Sequence, residues 1–223
     1  MTAGGRAGPE SVVLDLDGVL VDSEERWDEA RRELVAERGG AWKDDATHAM
    51  LGMSSPEWSA YVHDELGVDL DAEAINAAVV ERLLDGYRRE LPLLPGAVDA
   101  VRALASAGYR LAVASSSNRE LIDTVLRRLG LTELFEVTVS SEEVARGKPA
   151  PDVYLEAARR LRVEPGRCAA VEDSASGIRA AHLAGMRVIA YPNRHYPPAD
   201  EVLALADATV TSVADVSRAL ARA

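Results

Sequence analysis

The stretch Val12-Val13-Leu14-Asp15-Leu16-Asp17-Gly18-Val19-Leu20-Val21-Asp22-Ser23 decides the fold that we expect for this chain. It begins as an uncharged apolar run, which is typical of a fully buried parallel strand. Asp15 and Asp17 follow and would share one face if the strand continued, and Gly18 then allows a sharp turn. Open α/β sheets bind ligands at the carboxyl ends of their strands, so the two acids form a candidate site. A solvated Asp-Gly turn would give the same pattern, so the stretch alone favours a site only weakly.

The composition limits the classes of function. The chain has 223 residues and a net charge of -12, and 48% of its residues are apolar. This length allows a substantial core with a smaller appended domain. The negative charge argues against binding to nucleic acid or to anionic membranes, and 4% aromatic residues argue against base-stacking platforms. No apolar run approaches the length of a membrane span. We therefore expect a globular protein, most simply a monomer, that acts on a small molecule.

The cellular compartment is predicted from the single cysteine and from the first ten residues. A single cysteine, Cys168, excludes an intrachain disulfide and fits a reducing cytosol, and we expect it to be an inert buried thiol. Residues 1–10 are rich in glycine and lack the apolar core of a signal peptide. These features predict a disordered tail and a cytoplasmic protein.

The segment 22–90 shows helical periodicity and no convincing strand. Residues 24–38 follow Ser23, a plausible N-cap, and further helices are expected over 45–51, 55–66 and 71–90. We interpret 22–90 as an inserted all-helical cap domain. The six residues 91–96 contain two prolines and a glycine, which indicates a boundary or hinge.

Beyond this break, helical and strand patterns alternate. We expect helices over 97–107, 119–129, 150–161, 174–184 and 213–221, and strands over 109–114, 135–139, 168–171, 187–190 and 208–210. Such alternation is typical of a parallel sheet covered by helices on both faces. The predicted fold is therefore a doubly wound, Rossmann-like α/β core, formed by 1–21 and 91–223, with the cap inserted at 22–90.

Chemically useful side chains follow several of the predicted strands. They are Asp15 and Asp17, the polar run Ser115-Ser116-Ser117-Asn118, Lys148 between a glycine and a proline, and Glu172-Asp173-Ser174. Carboxylates from separate strands suit Mg²⁺, and free amides at a helix start suit an anion. Each group has an ordinary alternative, such as a helix cap, a solvated loop or a surface lysine. Their coincidence at successive strand ends instead indicates a site for a divalent metal and a phosphate.

These residues resemble, in order and spacing, the four motifs of the haloacid dehalogenase (HAD) superfamily. The matching segments are Asp15-Leu16-Asp17-Gly18-Val19-Leu20, Ser115, Lys148 in Gly147-Lys148-Pro149-Ala150-Pro151-Asp152, and Glu172-Asp173-Ser174 with Gly177. The resemblance covers nearly the whole chain. A helical insert between the first two motifs is similar to the branch that holds phosphoglycolate phosphatase, sugar-phosphate phosphatases and β-phosphoglucomutase.

The resemblance implies a role for each motif residue. Asp15 attacks phosphorus to form an aspartyl phosphate, and Asp17 protonates the leaving alkoxide and then activates water. Ser115 and Lys148 hold the phosphoryl oxygens. Mg²⁺ is bound by Asp15, Asp173 and the backbone of Asp17, with Glu172 as a ligand or an outer-shell partner. Gly18, Ser116, Ser117 and Asn118 are expected to contact the substrate, which is a small phosphorylated metabolite.

The reaction within the superfamily stays open between three classes. A phosphatase is favoured, because Asp17 is the acid that dehalogenases lack. Phosphonoacetaldehyde hydrolases are disfavoured, since they typically have alanine at the position of Asp17. A β-phosphoglucomutase-like mutase is the main alternative, although Trp27 and Leu83 align where that branch has a histidine and a lysine. A non-catalytic phospho-ligand sensor is the third class, and it would not need Asp17.

The predicted cap is expected to select the ester. The turn 52–56 between two helices is expected to face the site. Met53 and Trp58 are the candidate contacts for the leaving group, although core packing of the cap explains them equally well.

Overall fold

The computed structural model describes residues 8–50 and 53–221. In this part of the chain, six parallel strands form one sheet in the order β3-β2-β1-β4-β5-β6. The strands are β1 (Ser11–Leu14), β2 (Arg110–Ser115), β3 (Phe135–Ser140), β4 (Cys168–Glu172), β5 (Arg187–Ala190) and β6 (Ala208–Thr209). The strand order reverses direction at β1, so the carboxyl ends of β1, β2 and β4 flank the switch point at which such sheets bind ligands.

Ten α-helices accompany the sheet in the described residues. They are α1 (Glu24–Glu37), α2 (Ala46–Met50), α3 (Ser55–Asp64), α4 (Ala72–Arg89), α5 (Ala97–Ser106), α6 (Arg119–Leu129), α7 (Asp152–Leu161), α8 (Ala175–Leu183), α9 (Asp200–Leu203) and α10 (Val216–Ala221). The first four lie between β1 and α5 with no strand among their described residues. The remaining helices connect or follow the strands, as a parallel sheet requires.

The strand β1 is buried on both faces, because helices cover both sides of the sheet. Val13 pairs in register with Ala112 of β2 and Ala170 of β4. Alternate side chains enter two separate apolar clusters, with Val12 and Leu14 in one and Val13 in the other. The predicted doubly wound parallel fold is therefore confirmed.

The helical region between β1 and α5 has an apolar interior of its own. Leu34 of α1, Trp58 and Val62 of α3, and Val79 and Leu83 of α4 are all buried. Two predicted helix starts are confirmed. The Ala74 N–H donates to the Asp71 carboxylate over 2.8 Å, and Glu57 of α3 accepts from the backbone N–H of Ser54. The boundaries 22–90 of this region as a separate domain stay a prediction.

The two segments that join the helical region to the sheet run side by side. Val21 and Leu93 form an isolated antiparallel bridge. The Asp22 N–H donates to the Pro92 carbonyl over 2.7 Å, and the Leu94 N–H donates to the Leu20 carbonyl over 3.1 Å. Hinge motion at this bridge, which we predict from the prolines and the glycine, would have to bend both segments together.

Some local expectations were wrong. Ser23 does not cap α1, because its side chain makes no cap hydrogen bond and its hydroxyl donates to Asp17 instead. The helix expected from residue 150 begins at Asp152, after Pro149 and Pro151. The final helix begins as a 3₁₀ turn, Val213–Asp215, and the short helix α9 was not predicted.

Three further expectations concern particular segments. Cys168 is buried and free, as expected, and accepts a hydrogen bond from the Ser11 hydroxyl over 3.1 Å. The expected disordered tail and the turn 52–56 lie partly outside the described residues, at 1–7 and 51–52. None of the described helices is long and apolar enough to cross a membrane.

Candidate active site

A cleft opens where the carboxyl ends of β1, β2 and β4 meet the helical region. Its lining comes from both parts and consists of Asp15, Asp17, Glu24, Trp27, Arg31, Met50, Met53, Trp58, Ser116, Ser117, Lys148, Asp173, Ser174 and Ser176. Five predicted motif residues therefore meet residues of the helical region in one cavity, namely Asp15, Asp17, Lys148, Asp173 and Ser174. The motif residues Ser115 and Glu172 are buried and are not among its lining residues. Asp15 and Asp17 both reach this cavity although β1 ends at Leu14, because the chain turns after the strand instead of continuing it.

Asp15 lies at the base of the cleft, beside a buried cation. The Lys148 ammonium is 3.0 Å from Asp15 Oδ1, and both side chains are almost fully buried. The Leu16 N–H donates to the same carboxylate oxygen over 2.8 Å. These contacts fix the direction in which Asp15 faces the cleft, and they place a positive charge next to it.

Lys148 is also held from the opposite side by Glu172. Its ammonium donates to Glu172 Oε1 over 2.6 Å, and the Tyr154 hydroxyl donates to the same oxygen over 2.5 Å. The second oxygen, Oε2, accepts from the Asp173 N–H over 3.1 Å and from the Ser174 hydroxyl over 3.2 Å. Both oxygens of Glu172 are thus engaged by protein donors. This favours Glu172 as the partner that positions Lys148 over a direct metal ligand.

Asp17 receives several donors. The Ser117 hydroxyl donates to its Oδ2 over 2.6 Å, and the Ser115 hydroxyl lies 3.4 Å from the same oxygen. The other oxygen accepts from the Ser23 hydroxyl and, over 3.4 Å, from the Trp27 indole N–H. Residues that follow β2 and residues at the start of the helical region therefore hold this carboxylate together.

The residues fit a divalent metal ion. One carboxylate oxygen each from Asp15, Glu172 and Asp173 lies within 4.8 Å of the others, and all three residues are buried. Burial, with Glu172 as the next cause, raises the pKa of Asp15 to about 8. The same causes raise the pKa of Asp173 well above its ordinary value. Buried, mutually repelling acids require a proton or a cation, and hard oxygen ligands suit Mg²⁺.

Two glycines allow this packing. Gly18 has a φ of +73°, and a Cβ there would lie 1.8 Å from Asp173 Oδ2. A Cβ at Gly177 would lie 1.9 Å from the carboxyl carbon of Glu172. Only glycine fits at these positions without displacing an acid of the candidate site.

The predicted substrate contacts divide into two groups. Ser116, Ser117, Met53 and Trp58 line the cleft. Gly18 and Asn118 are not among its lining residues. The Asn118 amide donates to Glu142 over 2.5 Å and accepts from the Ser55 hydroxyl over 3.3 Å, so it links the helical region to the core.

Sequence reasoning did not identify Glu24 and Arg31, which also line the cleft. They are three residues before and four residues after Trp27 on α1, so all three share one helix face. This spacing was the available signal, because Trp27 had already been aligned with a functional position.

Comparison with known proteins identifies the family of the chain. A family model described as haloacid dehalogenase-like hydrolase matches residues 9–185. The chain belongs to this hydrolase family. The predicted superfamily is thereby confirmed, and the match spans all four motif segments.

Two curated relatives are similar over most of this chain. Hexitol phosphatase B of Escherichia coli is 30% identical over 93% of this chain and 94% of its own length. The bifunctional riboflavin kinase/FMN phosphatase of Arabidopsis thaliana is 31% identical over 92% of this chain. The chain spans about half of that bifunctional protein, 54% of its length.

Two solved structures share the fold. CbbY from Rhodobacter sphaeroides in complex with phosphate has a TM-score of 0.83 and 31% identity, and covers 96% of this chain and 99% of its own. A putative β-phosphoglucomutase from Thermotoga maritima has a TM-score of 0.73 and 29% identity, and covers 95% of this chain and 98% of its own.

Proposed function

We propose that this hydrolase is a Mg²⁺-dependent phosphatase that cleaves small phosphate monoesters, with sugar phosphates as the substrate class. The observation that carries the proposal is Asp15, which faces the cleft with Lys148 3.0 Å away and Asp17 in the same cavity. A nucleophile, a cation for phosphoryl oxygens and a second acid are the groups that phosphoryl transfer through an enzyme carboxylate needs. The phosphatase names of relatives such as hexitol phosphatase B support the reaction type.

Each residue of the site has a separate role in the proposed reaction. Asp15 attacks phosphorus and becomes an aspartyl phosphate, while Lys148 and the Ser115 hydroxyl hold phosphoryl oxygens. Asp17 donates a proton to the leaving alkoxide and then takes one from water. Because four donors surround Asp17, its carboxyl group keeps one orientation through both steps. Ser116, just before the start of α6, offers a further donor to the phosphoryl group, whereas the N–H and hydroxyl of Ser117 already donate to Ser115 and Asp17.

Asp15 and Asp173 would bind Mg²⁺, with Glu172 in the outer shell. When bound, the ion supplies positive charge that stabilises the transferring phosphoryl group. Asn193 donates to Asp173 Oδ2 over 2.8 Å and thereby fixes the direction of that carboxylate.

A phosphosugar mutase is the second candidate. A solved structure called a putative β-phosphoglucomutase shares the fold, and a cationic side chain, Arg31, reaches the cleft from the helical region. Against it, the Trp27 indole occupies the position aligned with the mutase histidine and donates to Asp17, so no base is present there. Leu83 is buried within the helical region and is not among the cleft residues. Its alignment with the mutase lysine therefore neither supports nor opposes a mutase.

One experiment tests both candidates. The purified protein should hydrolyse p-nitrophenyl phosphate with Mg²⁺. Asp15→Asn should lose essentially all turnover, because an amide does not attack phosphorus, whereas Asp99→Asn, on the exposed side of α5, should keep it. Given β-glucose 1-phosphate with a trace of the 1,6-bisphosphate, a phosphatase releases inorganic phosphate. Faster accumulation of glucose 6-phosphate than of inorganic phosphate would overturn the proposal in favour of the mutase.

We further propose a cytoplasmic monomer that acts on a phosphorylated metabolite. The single buried, free cysteine supports a reducing compartment.

A further inference from the structure

Arg31 occupies an unusual position for a cation. It lies on α1, and its guanidinium carbon is 5.0 Å from the centre of the Trp27 ring and 4.9 Å from that of Trp58. The two indoles pack edge to face, with centroids 5.9 Å apart. The aromatic pair therefore holds the half-buried guanidinium at the wall of the cleft.

This guanidinium lacks partners. In the part of the chain that the structure describes, Arg31 forms no hydrogen bond and no ion pair within 4.0 Å, and its Nε is buried without an acceptor. Glu24 and Asp28 are close enough to raise its pKa, but burial outweighs them and lowers the pKa to about 10. The group is thus charged at neutral pH. Buried donors of a folded protein are normally satisfied, so the buried Nε–H of Arg31 is free to donate to a bound acceptor.

The neighbouring residue provides a contrast. Arg32 also stacks on an indole, with its guanidinium carbon 4.3 Å from the centre of the Trp42 ring. Its guanidinium is paired, however, with Asp28, and it donates to Thr47 over 3.2 Å. Arg32 is not among the cleft residues. Stacking on tryptophan is therefore not what leaves Arg31 unpaired.

The cleft offers one other cation, and it is already engaged. Among the lining residues that the structure describes, only Lys148 and Arg31 are positively charged. Lys148 is shared between Asp15 and Glu172. Once the transferred phosphoryl group is bound beside Lys148, Arg31 remains as the positive charge for the rest of the substrate.

We propose that Arg31 binds a second anionic group, a carboxylate or a second phosphate, on the leaving-group side of the substrate. This deepens and rests on the proposed phosphatase function. A planar guanidinium matches both anions with paired N–H donors, and its stacking between indoles limits the entropy lost on binding. Sugar hydroxyls could accept hydrogen bonds from the Arg31 guanidinium, but they would not neutralise its partly buried positive charge.

The test compares matched substrates. Values of kcat/KM are measured for 3-phosphoglycerate against glycerol 3-phosphate, and for fructose 1,6-bisphosphate against fructose 6-phosphate. The first pair adds a carboxylate and the second adds a phosphate. The variants are Arg31→Gln, Arg31→Lys and, as the matched control, Arg32→Gln. p-Nitrophenyl phosphate, which has no second anion, reports on folding and chemistry.

The wild type should prefer the doubly anionic member of at least one pair by about 10- to 100-fold, the range of a charged hydrogen-bonded contact. Arg31→Gln should lose this preference, with kcat/KM falling more for the doubly anionic member of the pair than for the singly anionic member or for p-nitrophenyl phosphate. Arg31→Lys should keep part of the preference, and Arg32→Gln all of it. The inference is overturned if the wild type shows no preference in either pair, or if Arg31→Gln slows both members equally.

Binding gives a second readout that does not depend on turnover. In the Asp15→Asn background, titration calorimetry with the preferred substrate should give a Kd about 10-fold or more higher when Arg31→Gln is added, and an unchanged Kd with Arg32→Gln. Equal Kd values with and without Arg31→Gln would refute the contact. Absence of Mg²⁺-dependent hydrolysis of every ester, p-nitrophenyl phosphate included, would instead refute the phosphatase function.

Discussion

Removing one hydroxyl, in Tyr154→Phe, tests the idea that Glu172 positions Lys148. The Tyr154 hydroxyl and the Lys148 ammonium both donate to Glu172 Oε1, at 2.5 and 2.6 Å, and all three side chains are buried. Phenylalanine fills nearly the same space but provides no donor. The change therefore affects the hydrogen bonding of Glu172 with little change in packing.

The magnitude follows from what Glu172 retains. A hydrogen bond to a charged group contributes about 1.5–3 kcal/mol, and a buried acceptor without any partner costs more. Because Lys148 and the donors to Oε2 remain, we expect a loss of about 2 kcal/mol in the free energy of unfolding. For a chain of this size, that loss lowers Tm by roughly 4–8 °C. The Lys148 ammonium should also shift toward Glu172, and kcat should fall by roughly 10-fold or less.

Thermal unfolding followed by circular dichroism measures the first effect, and p-nitrophenyl phosphate hydrolysis the second. Tyr109→Phe is the matched control, since Tyr109 is half-buried and its hydroxyl makes no hydrogen bond with the described residues. The control should leave Tm and kcat within error of the wild type. A Tyr154→Phe protein with unchanged Tm and unchanged kcat would refute the positioning argument.

Four further changes have expected outcomes. Gly177→Ala should abolish most activity and lower Tm, because its Cβ would lie 1.9 Å from the carboxyl carbon of Glu172, and a fully active variant would contradict this packing. Mg²⁺ affinity, measured by calorimetry, should rise between pH 5.5 and 8, because the pKa of Asp15 is about 8 without metal and the ion must displace that proton; an affinity independent of pH would refute this. EDTA should abolish turnover. Ser23→Ala should lower kcat by roughly 2- to 10-fold by removing one of the two donors to an oxygen of Asp17, and no change would argue against a positioning role for Ser23.

The sequence predicted the sheet and the motif residues because both depend on local pattern. An apolar run followed by Asp15 and Asp17 specifies a buried strand with two acidic side chains at its carboxyl end. Parallel topology then brings separate strand ends together without any knowledge of side-chain contacts. The same logic placed Ser117 and Asp173 in the cleft.

The partners of individual side chains could not be predicted in this way. Ser23 had the pattern of a helix cap, yet its hydroxyl donates to Asp17, six residues earlier, because the turn at Gly18 folds the chain back. Asn118 had the pattern of an anion site, yet Glu142 and Ser55 engage its amide. In both cases the side chain bonds to a different segment of the chain and not to its own helix terminus. Sequence spacing does not show which of these two contacts forms.

The balance of buried charge links the metal to substrate binding. Asp15, Glu172 and Asp173 are three buried carboxylates, and Lys148 is the cation in ion-pair contact with them. Fully ionised, this group carries two negative charges in excess and would repel a phosphate dianion. In the absence of metal, the raised pKa of Asp15 shows that proton uptake relieves part of this repulsion. A divalent cation bound there would neutralise the excess and leave Asp15 ionised, as the proposed nucleophile must be. If the proposed metal site is correct, a metal-free protein should fail to bind inorganic phosphate, and added Mg²⁺ should restore that binding.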